Sequence, residues 1–309
     1  MSGPMINRIQ TIVHNHTVSI LAIPVLAASA ILTASLFAAS FASAADAIPL
    51  LGKQLGEFSA KDYRGRPHSL SEYSESRVVV LAFLGTECPL AKLYGPRLAS
   101  ISRKYAGKGV TILGVNSNRH DSITEISAYA RIHEINFPIL KDLDNRIADQ
   151  VGATRTPEIL VLDQRRVVRY HGRVDDQYGV GYIRNEPKKS FLTNAIDSLL
   201  ASQPVPTAST EVVGCFIGRK RKPDPNSDVT FSNQIARILN RHCVECHREG
   251  EIAPFSLTSY DEVVGWGETM VEVIDDRRMP PWHADPKHGD FLNARVMATL
   301  EKSQLRQWV

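Results

Sequence analysis

Cys243 and Cys246 are separated by two residues, and His247 follows at once. This is the attachment pattern of c-type haem, in which two thiols reach the vinyl groups and the adjacent imidazole is presented to the iron. The spacing has a physical basis. One helical turn places both sulfurs on the same edge of the porphyrin, while the next residue points under its centre. Zinc is the rival reading, since His242, Cys243, Cys246 and His247 can all ligate it. A structural zinc site draws its remaining ligands from a second knuckle, however, and the chain has no second such pair. The expectation is covalent haem c, one per chain. The other two cysteines stand singly. Cys88 follows the apolar run Leu81 to Leu84 and precedes Pro89 and a stretch of helical spacing. Cys215, within Val212 to Gly218, has two readings: a small hydrophobe buried on a strand, or a partner for Cys88.

These groups need elements to hold them. A chain of 309 residues suggests two modest domains. With 43% hydrophobic and 22% charged residues, wholesale disorder, collagen and coiled coil are excluded. Lys plus Arg minus Asp plus Glu is 36 − 33 = +3, which makes no case for nucleic acid. Residues 1–44 read as a signal peptide: no charge falls between Arg8 and Asp46, and Ala42, Ser43 and Ala44 form a small-x-small cleavage site. The apolar run is also long enough for an uncleaved anchor, the only route by which a membrane enters. Either way the remainder reaches the oxidising side of a membrane, periplasmic or otherwise exported. Residues 50–202 alternate short β-branched runs with helical stretches, the mark of an α/β domain. Expected are a hairpin over Phe58–Leu70, strands over 77–84 and 110–115, helices over 90–105 and 122–133, a second hairpin over 159–170 and a closing helix over 189–200. Residues 203–228 read as a linker, with Arg219 to Asn226 a solvated basic loop. His68, His120, His133 and His171 read as surface or packing residues, and Asp175 with Asp176 as a solvated turn. Residues 229–309 open with an amphipathic helix over 230–240. Trp266, Trp282 and Trp308 all fall in this segment, an aromatic surplus that a flat cofactor would explain.

The segment Leu81 to Lys92, followed by Pro96 to Leu98, resembles the active-site region of the thioredoxin and redoxin (AhpC/TSA) superfamily. Gly152 to Val161, with Thr156 before Pro157, resembles the loop that packs against its catalytic sulfur. The resemblance implies a thioredoxin-like fold, a cis peptide at Pro157, and a Cys88 delivered by a strand to a helix N-terminus, where free N–H groups favour thiolate. Lys92, one turn on, adds to that, and Pro96 kinks the helix. Cys88, Thr86, Lys92 and Pro157 are the candidate catalytic residues. Two departures bear on mechanism. Ala91 stands where thioredoxins carry their second cysteine, so no local disulfide forms. Gly85 and Leu81 stand where peroxiredoxins place Thr and Pro, and Thr86 does not restore the pattern. What is left is one activated thiol able to form a sulfenic acid or a mixed disulfide.

Residues 229–309 resemble class I cytochrome c modules. Gly250 to Phe255 looks like their proximal loop, where a carbonyl near Pro254 accepts the Nδ1 proton of the ligating histidine. Met279, followed by Pro280, looks like the distal loop. The implied iron ligands are His247 and Met279, with His283 and His288 as rivals and Met297 as a core residue. Leu305 to Val309 looks like the terminal helix of that class cut a turn or so short. The expected architecture is an α/β thioredoxin-like domain followed by a small all-α cytochrome c-like domain. The expected function is an exported thiol-redox oxidoreductase whose haem exchanges electrons with an exported electron-transfer partner, and whose thiol serves a thiol/disulfide protein. The alternative is an electron carrier in which the redoxin domain is a silent docking module.

Overall fold

The computed structural model describes residues 50–219, 224–282, 284 and 286–309. The expected signal peptide, part of the basic loop (220–223) and His283 lie outside the described residues. A hairpin comes first, β1 (Ser59–Lys61) against β2 (Pro67–Ser69), with Ala60 opposite His68. Then come β3 (Val78–Phe83), α1 (Pro89–Tyr105), β4 (Val110–Asn116), α2 (Ile123–Ile132), β5 (Ile139–Lys141) and α3 (Arg146–Val151). The second half of the sheet region runs β6 (Arg155–Thr156), β7 (Glu158–Leu162), β8 (Val168–Gly172), β9 (Tyr178–Gly179), β10 (Tyr182–Ile183) and α4 (Phe191–Leu200).

The five-stranded sheet has the order β5-β4-β3-β7-β8, with β3 parallel to β4 and antiparallel to β7. β3 is apolar at every position because it is central and covered on both faces. Val78, Val80 and Ala82 join the core built with Leu98 of α1 and Leu192 and Ile196 of α4. The alternate residues Val79, Leu81 and Phe83 join the opposite core with Ile147 and Val151 of α3. α2 starts where its sequence signals: Ser122 Oγ accepts from Glu125 N at 3.2 Å and Glu125 Oε2 accepts from Ser122 N at 2.6 Å, a capping box.

Beyond α4 the chain forms β11 (Cys215–Phe216), a π-helical turn (Phe231–Ile235), α5 (Ala236–His242), α6 (Tyr260–Val264), α7 (Gly267–Asp275) and α8 (Thr299–Trp308). Ile235, Leu239, Val263, Trp266, Met270 and Leu305 share one core, in which Met297 is buried. Among the described residues no helix is long and apolar enough to cross a membrane.

Three expectations need correction. The stretch 203–228 is not a free spacer: His171 N donates to Ala208 O and Thr210 N to His171 O, both at 3.0 Å, and β11 pairs with β6. Its proline-rich composition concealed this, because a segment added to a sheet edge is held by backbone groups and needs no side-chain period. Asp175 is not in a solvated turn but is 2% exposed, accepting from Tyr94 Oη and Arg97 Nη1, both at 2.7 Å. Its partners lie on α1, about eighty residues earlier, beyond the reach of local pattern. Finally, the tryptophans have protein neighbours. Trp266 stacks on Phe255, Trp282 meets Phe291 edge-on, and Trp308 packs by Phe231 and Tyr260, so the aromatic surplus by itself does not argue for a cofactor.

Candidate active site

β3 ends at Phe83, and beyond a short turn Cys88 sits at the N-cap of α1 in extended conformation. Pro89 follows at the first helical position, where its missing N–H costs nothing. Cys88 is wholly buried, and its Sγ donates to Thr156 O at 3.0 Å. The Thr156–Pro157 peptide is cis, as the resemblance implied. β11 lies antiparallel to β6 with Cys215 directly opposite Thr156. The structure thus brings together Cys88, the residue before Pro157, and a cysteine 127 positions further along the chain (215 − 88).

Burial pushes the Cys88 thiol up. The neighbouring Cys215 thiol, Thr156 and the Ala91 and Cys215 backbone outweigh it and bring the Cys88 thiol down to about 6. Cys215 is pushed well above the ordinary thiol range, first by its hydrogen bond to Cys88 and then by burial. Both readings of Cys215 keep their footing: it lies on a strand packed against the core, and it stands opposite Thr156, whose carbonyl receives the Cys88 thiol.

The other candidate residues act differently from expectation. Lys92 Nζ bonds Glu87 Oε2 at 2.8 Å, so its charge is answered by a carboxylate beside the thiol. Thr86 contributes through its backbone: Thr86 N donates to Asp121 Oδ2 at 2.9 Å, and its hydroxyl is buried without a partner among the described residues. Asp121 Oδ2 also accepts from Asn116 Nδ2 at 2.6 Å and Asn118 Nδ2 at 3.0 Å, fixing the floor behind Gly85. Sequence reasoning missed Glu158, which is 0% exposed. Its carboxyl accepts from Thr154 N and Arg155 N, both at 2.8 Å, and bonds His171 Nε2 at 2.6 Å, which sets the loop that presents Thr156. The available signal was an acidic residue between Pro157 and the apolar run Ile159–Leu162. A surface groove of about 770 Å³ between the β1–β2 hairpin and α3 holds none of these residues.

Gly85, where peroxiredoxins carry threonine, has no room for one. A Cβ there would lie 2.5 Å from Asn118 Nδ2 and 3.0 Å from Thr156 Oγ1. Gly85→Thr is therefore expected to cost about 1–3 kcal/mol by overpacking, measured by denaturant unfolding, without a gain in hydroperoxide reduction. A stable variant with raised peroxidase activity would refute this.

In the C-terminal segment, His247 N donates to Cys243 O at 2.9 Å, so Cys243, Cys246 and His247 share a single helical turn. His247 Nδ1 donates to Phe255 O at 3.1 Å, a carbonyl next to Pro254, and leaves Nε2 with no hydrogen bond among the described residues. These groups fit a covalently held haem: two free thiols on one turn, and an imidazole oriented by a carbonyl with its other nitrogen open. Met279, 39% exposed, precedes the second cis peptide, Met279–Pro280. His288 is exposed. His242, the zinc reading's first ligand, bonds Glu301 Oε2 at 2.9 Å, and among the described residues no three His, Cys, Asp or Glu side chains cluster to hold a metal. A row of rings runs from His247 through Phe255 and Trp266 to His120, with centroids 4.7, 3.8 and 4.8 Å apart. His120 adjoins Asp121, so the row ends at the floor behind Gly85.

Known proteins resemble part of this chain. Residues 51–171 match the AhpC/TSA family. The chain is 28% identical over 121 residues to the thiol-disulfide oxidoreductase ResA of Halalkalibacterium halodurans, a match covering 39% of this chain and 67% of that one. It is likewise 28% identical over 119 residues to the chloroplastic peroxiredoxin Q of Sedum lineare, covering 36% and 62%. A hypothetical protein from Sinorhizobium meliloti, solved by crystallography, superposes with a TM-score of 0.52 at 29% identity, covering 56% of this chain and 96% of that one. Residues 51–171 are thus an AhpC/TSA redoxin domain of thioredoxin-like fold, and the C-terminal part of the chain is a mostly helical region to which the family match does not extend.

Proposed function

From the premise that residues 51–171 are a redoxin domain, we propose that the chain is an exported thiol–disulfide oxidoreductase with Cys88 as its nucleophile, and that its C-terminal region carries a covalent haem c. The observation that carries the first part is the surrounding of Cys88: a buried sulfur at a helix N-terminus, 3.0 Å from the Thr156 carbonyl oxygen and brought down to about 6 by its neighbours, Cys215 first among them. The thiolate attacks one sulfur of a partner's disulfide. The partner's S–S bond breaks, a mixed disulfide forms on Cys88, and the leaving thiolate takes a proton from solvent. Gly85 and its closed surroundings favour this chemistry over that of a peroxidase.

For the haem, Cys243 and Cys246 would supply the thioether sulfurs, and His247 and Met279 would ligate the iron. The turn shared by the two cysteines and the Phe255 carbonyl behind the imidazole support this assignment. When bound, the haem supplies single-electron exchange with an exported partner. Thiol exchange moves electrons in pairs, so the two centres work as separate couples here.

Two measurements test the reading. The full chain, matured in a host with c-type haem machinery, is expected to keep its pigment in the precipitate after acidic acetone and to lose it when both Cys243 and Cys246 are alanine. Pigment that washes away from the wild type refutes the haem assignment. Reduction of insulin disulfides by the wild type at the rate of Cys88→Ser refutes the enzyme and leaves the carrier reading.

A further inference from the structure

We infer that Cys215 is the internal resolving thiol of Cys88, carried on a strand that occupies the place of a disulfide substrate and closes a Cys88–Cys215 disulfide in each turnover. The inference rests on the thiol–disulfide reading of Cys88 and adds to it the second sulfur that Ala91 does not supply.

The argument begins with backbone. β11 and β6 form their own two-stranded antiparallel ladder, two residues on each side, which fixes the register of Cys215 by main-chain pairing. That pairing sets Cys215 opposite Thr156, whose carbonyl receives the Cys88 thiol. The approach is possible only because residue 214 is glycine: a Cβ there would lie 2.0 Å from Thr156 O. The strand is held from both sides. Ile217 N donates to Thr154 O at 2.8 Å and Gly218 N to Asn118 Oδ1 at 2.9 Å from the redoxin domain, while Phe216 N donates to Thr269 Oγ1 on α7 at 2.9 Å. Arg155 ties the two together, with its guanidinium over the Phe216 ring, Nη1 donating to Gly214 O at 2.8 Å, and an ion pair to Glu272 of α7 at 2.8 Å. A sulfur held this way attacks at high effective concentration.

The order of events follows from the same contacts. Cys88 reacts first, as the thiolate, while Cys215 is kept as S–H by its hydrogen bond to that sulfur. Once Cys88 is in a mixed disulfide its negative charge is gone, and with it the main force holding the Cys215 proton. The Cys215 thiolate then attacks the Cys88 sulfur. The Cys88–Cys215 bond forms, the bond from Cys88 to the partner breaks, and the partner's second sulfur leaves and takes up the proton. The partner gains two electrons and the cysteine pair loses two, to be returned by an external dithiol reductant. Cys88 is wholly buried, and in this scheme β11 lifts to admit the substrate and returns to resolve it.

The test uses pre-reduced, haem-loaded full chain and oxidised glutathione, with acid quench, alkylation and peptide mass mapping. In the wild type, the Cys88 and Cys215 peptides are expected to be joined by a disulfide with no glutathione retained. Cys215→Ser stalls with one glutathione on Cys88. Gly214→Ala, which keeps both cysteines, takes up glutathione at least as fast but closes the internal disulfide about a hundredfold more slowly. A wild type that retains glutathione on Cys88 while Cys215 is alkylated overturns the inference, as does a Gly214→Ala chain that closes at the wild-type rate. If Cys88 takes no glutathione even in Cys215→Ser, the thiol–disulfide reading falls, and this inference with it.

Discussion

Cys88→Ser is expected to lower disulfide reduction about a thousandfold or more, since the serine hydroxyl does not ionise near neutral pH and the thiolate is the attacking species. Serine is close to cysteine in size, so the core around α1 is expected to hold and the unfolding midpoint to move little. The wild type gives a second signature. Its thiol stands near 6 against an ordinary value of 9.0, and the reactive form is the deprotonated one. The rate therefore rises with pH through about 6 and flattens above about 7, where thiolate outnumbers thiol by about ten to one. Single-turnover reduction of a small disulfide from pH 4 to 10 reads this directly. A profile still climbing near pH 9 would show that the surroundings of Cys88 do not lower the thiol. Cys215→Ser weakens that effect and is expected to move the rise to higher pH.

Glu158→Leu is expected to remove about 3 kcal/mol of stability, because it strips the acceptor from two backbone N–H groups and from the buried His171 at once. Leucine fits an apolar strand, so the loss comes from unanswered donors and not from lost burial. The same change loosens the Thr154–Thr156 loop, so the reaction of Cys88 slows in the folded fraction as well. Glu158→Gln keeps one carbonyl oxygen and is expected to fall between leucine and wild type. Denaturant unfolding of the three chains decides the matter, and a leucine variant within about 1 kcal/mol of the wild type would show that water takes over the carboxyl's role.

The central strand, the flanking helices and the redoxin assignment were all legible in the residues. An unbroken apolar run specifies a strand covered on both faces, as in Val78–Phe83. A serine three residues before a glutamate specifies a helix start, as at Ser122. Thr156–Pro157 and the strand leading to Cys88 pointed to the fold, and the Cys243–His247 spacing specified a turn that the chain forms. All of these are local: backbone period, capping and turn chemistry act within a few residues. Tertiary structure decided what lies beyond that reach. It set Cys215 opposite Thr156, the residue that receives the Cys88 thiol, through a stretch whose composition reads as linker, because a ladder two residues long leaves no period in the side chains. It buried Asp175 against Tyr94 and Arg97, turned Lys92 toward Glu87, and made Glu158 the hub of the Thr156 loop. In each case the outcome depends on which distant backbone leaves space, as Gly214 does for Thr156 and Gly85 for Asn118, and such space exists only once the sheet and its helices have closed around it.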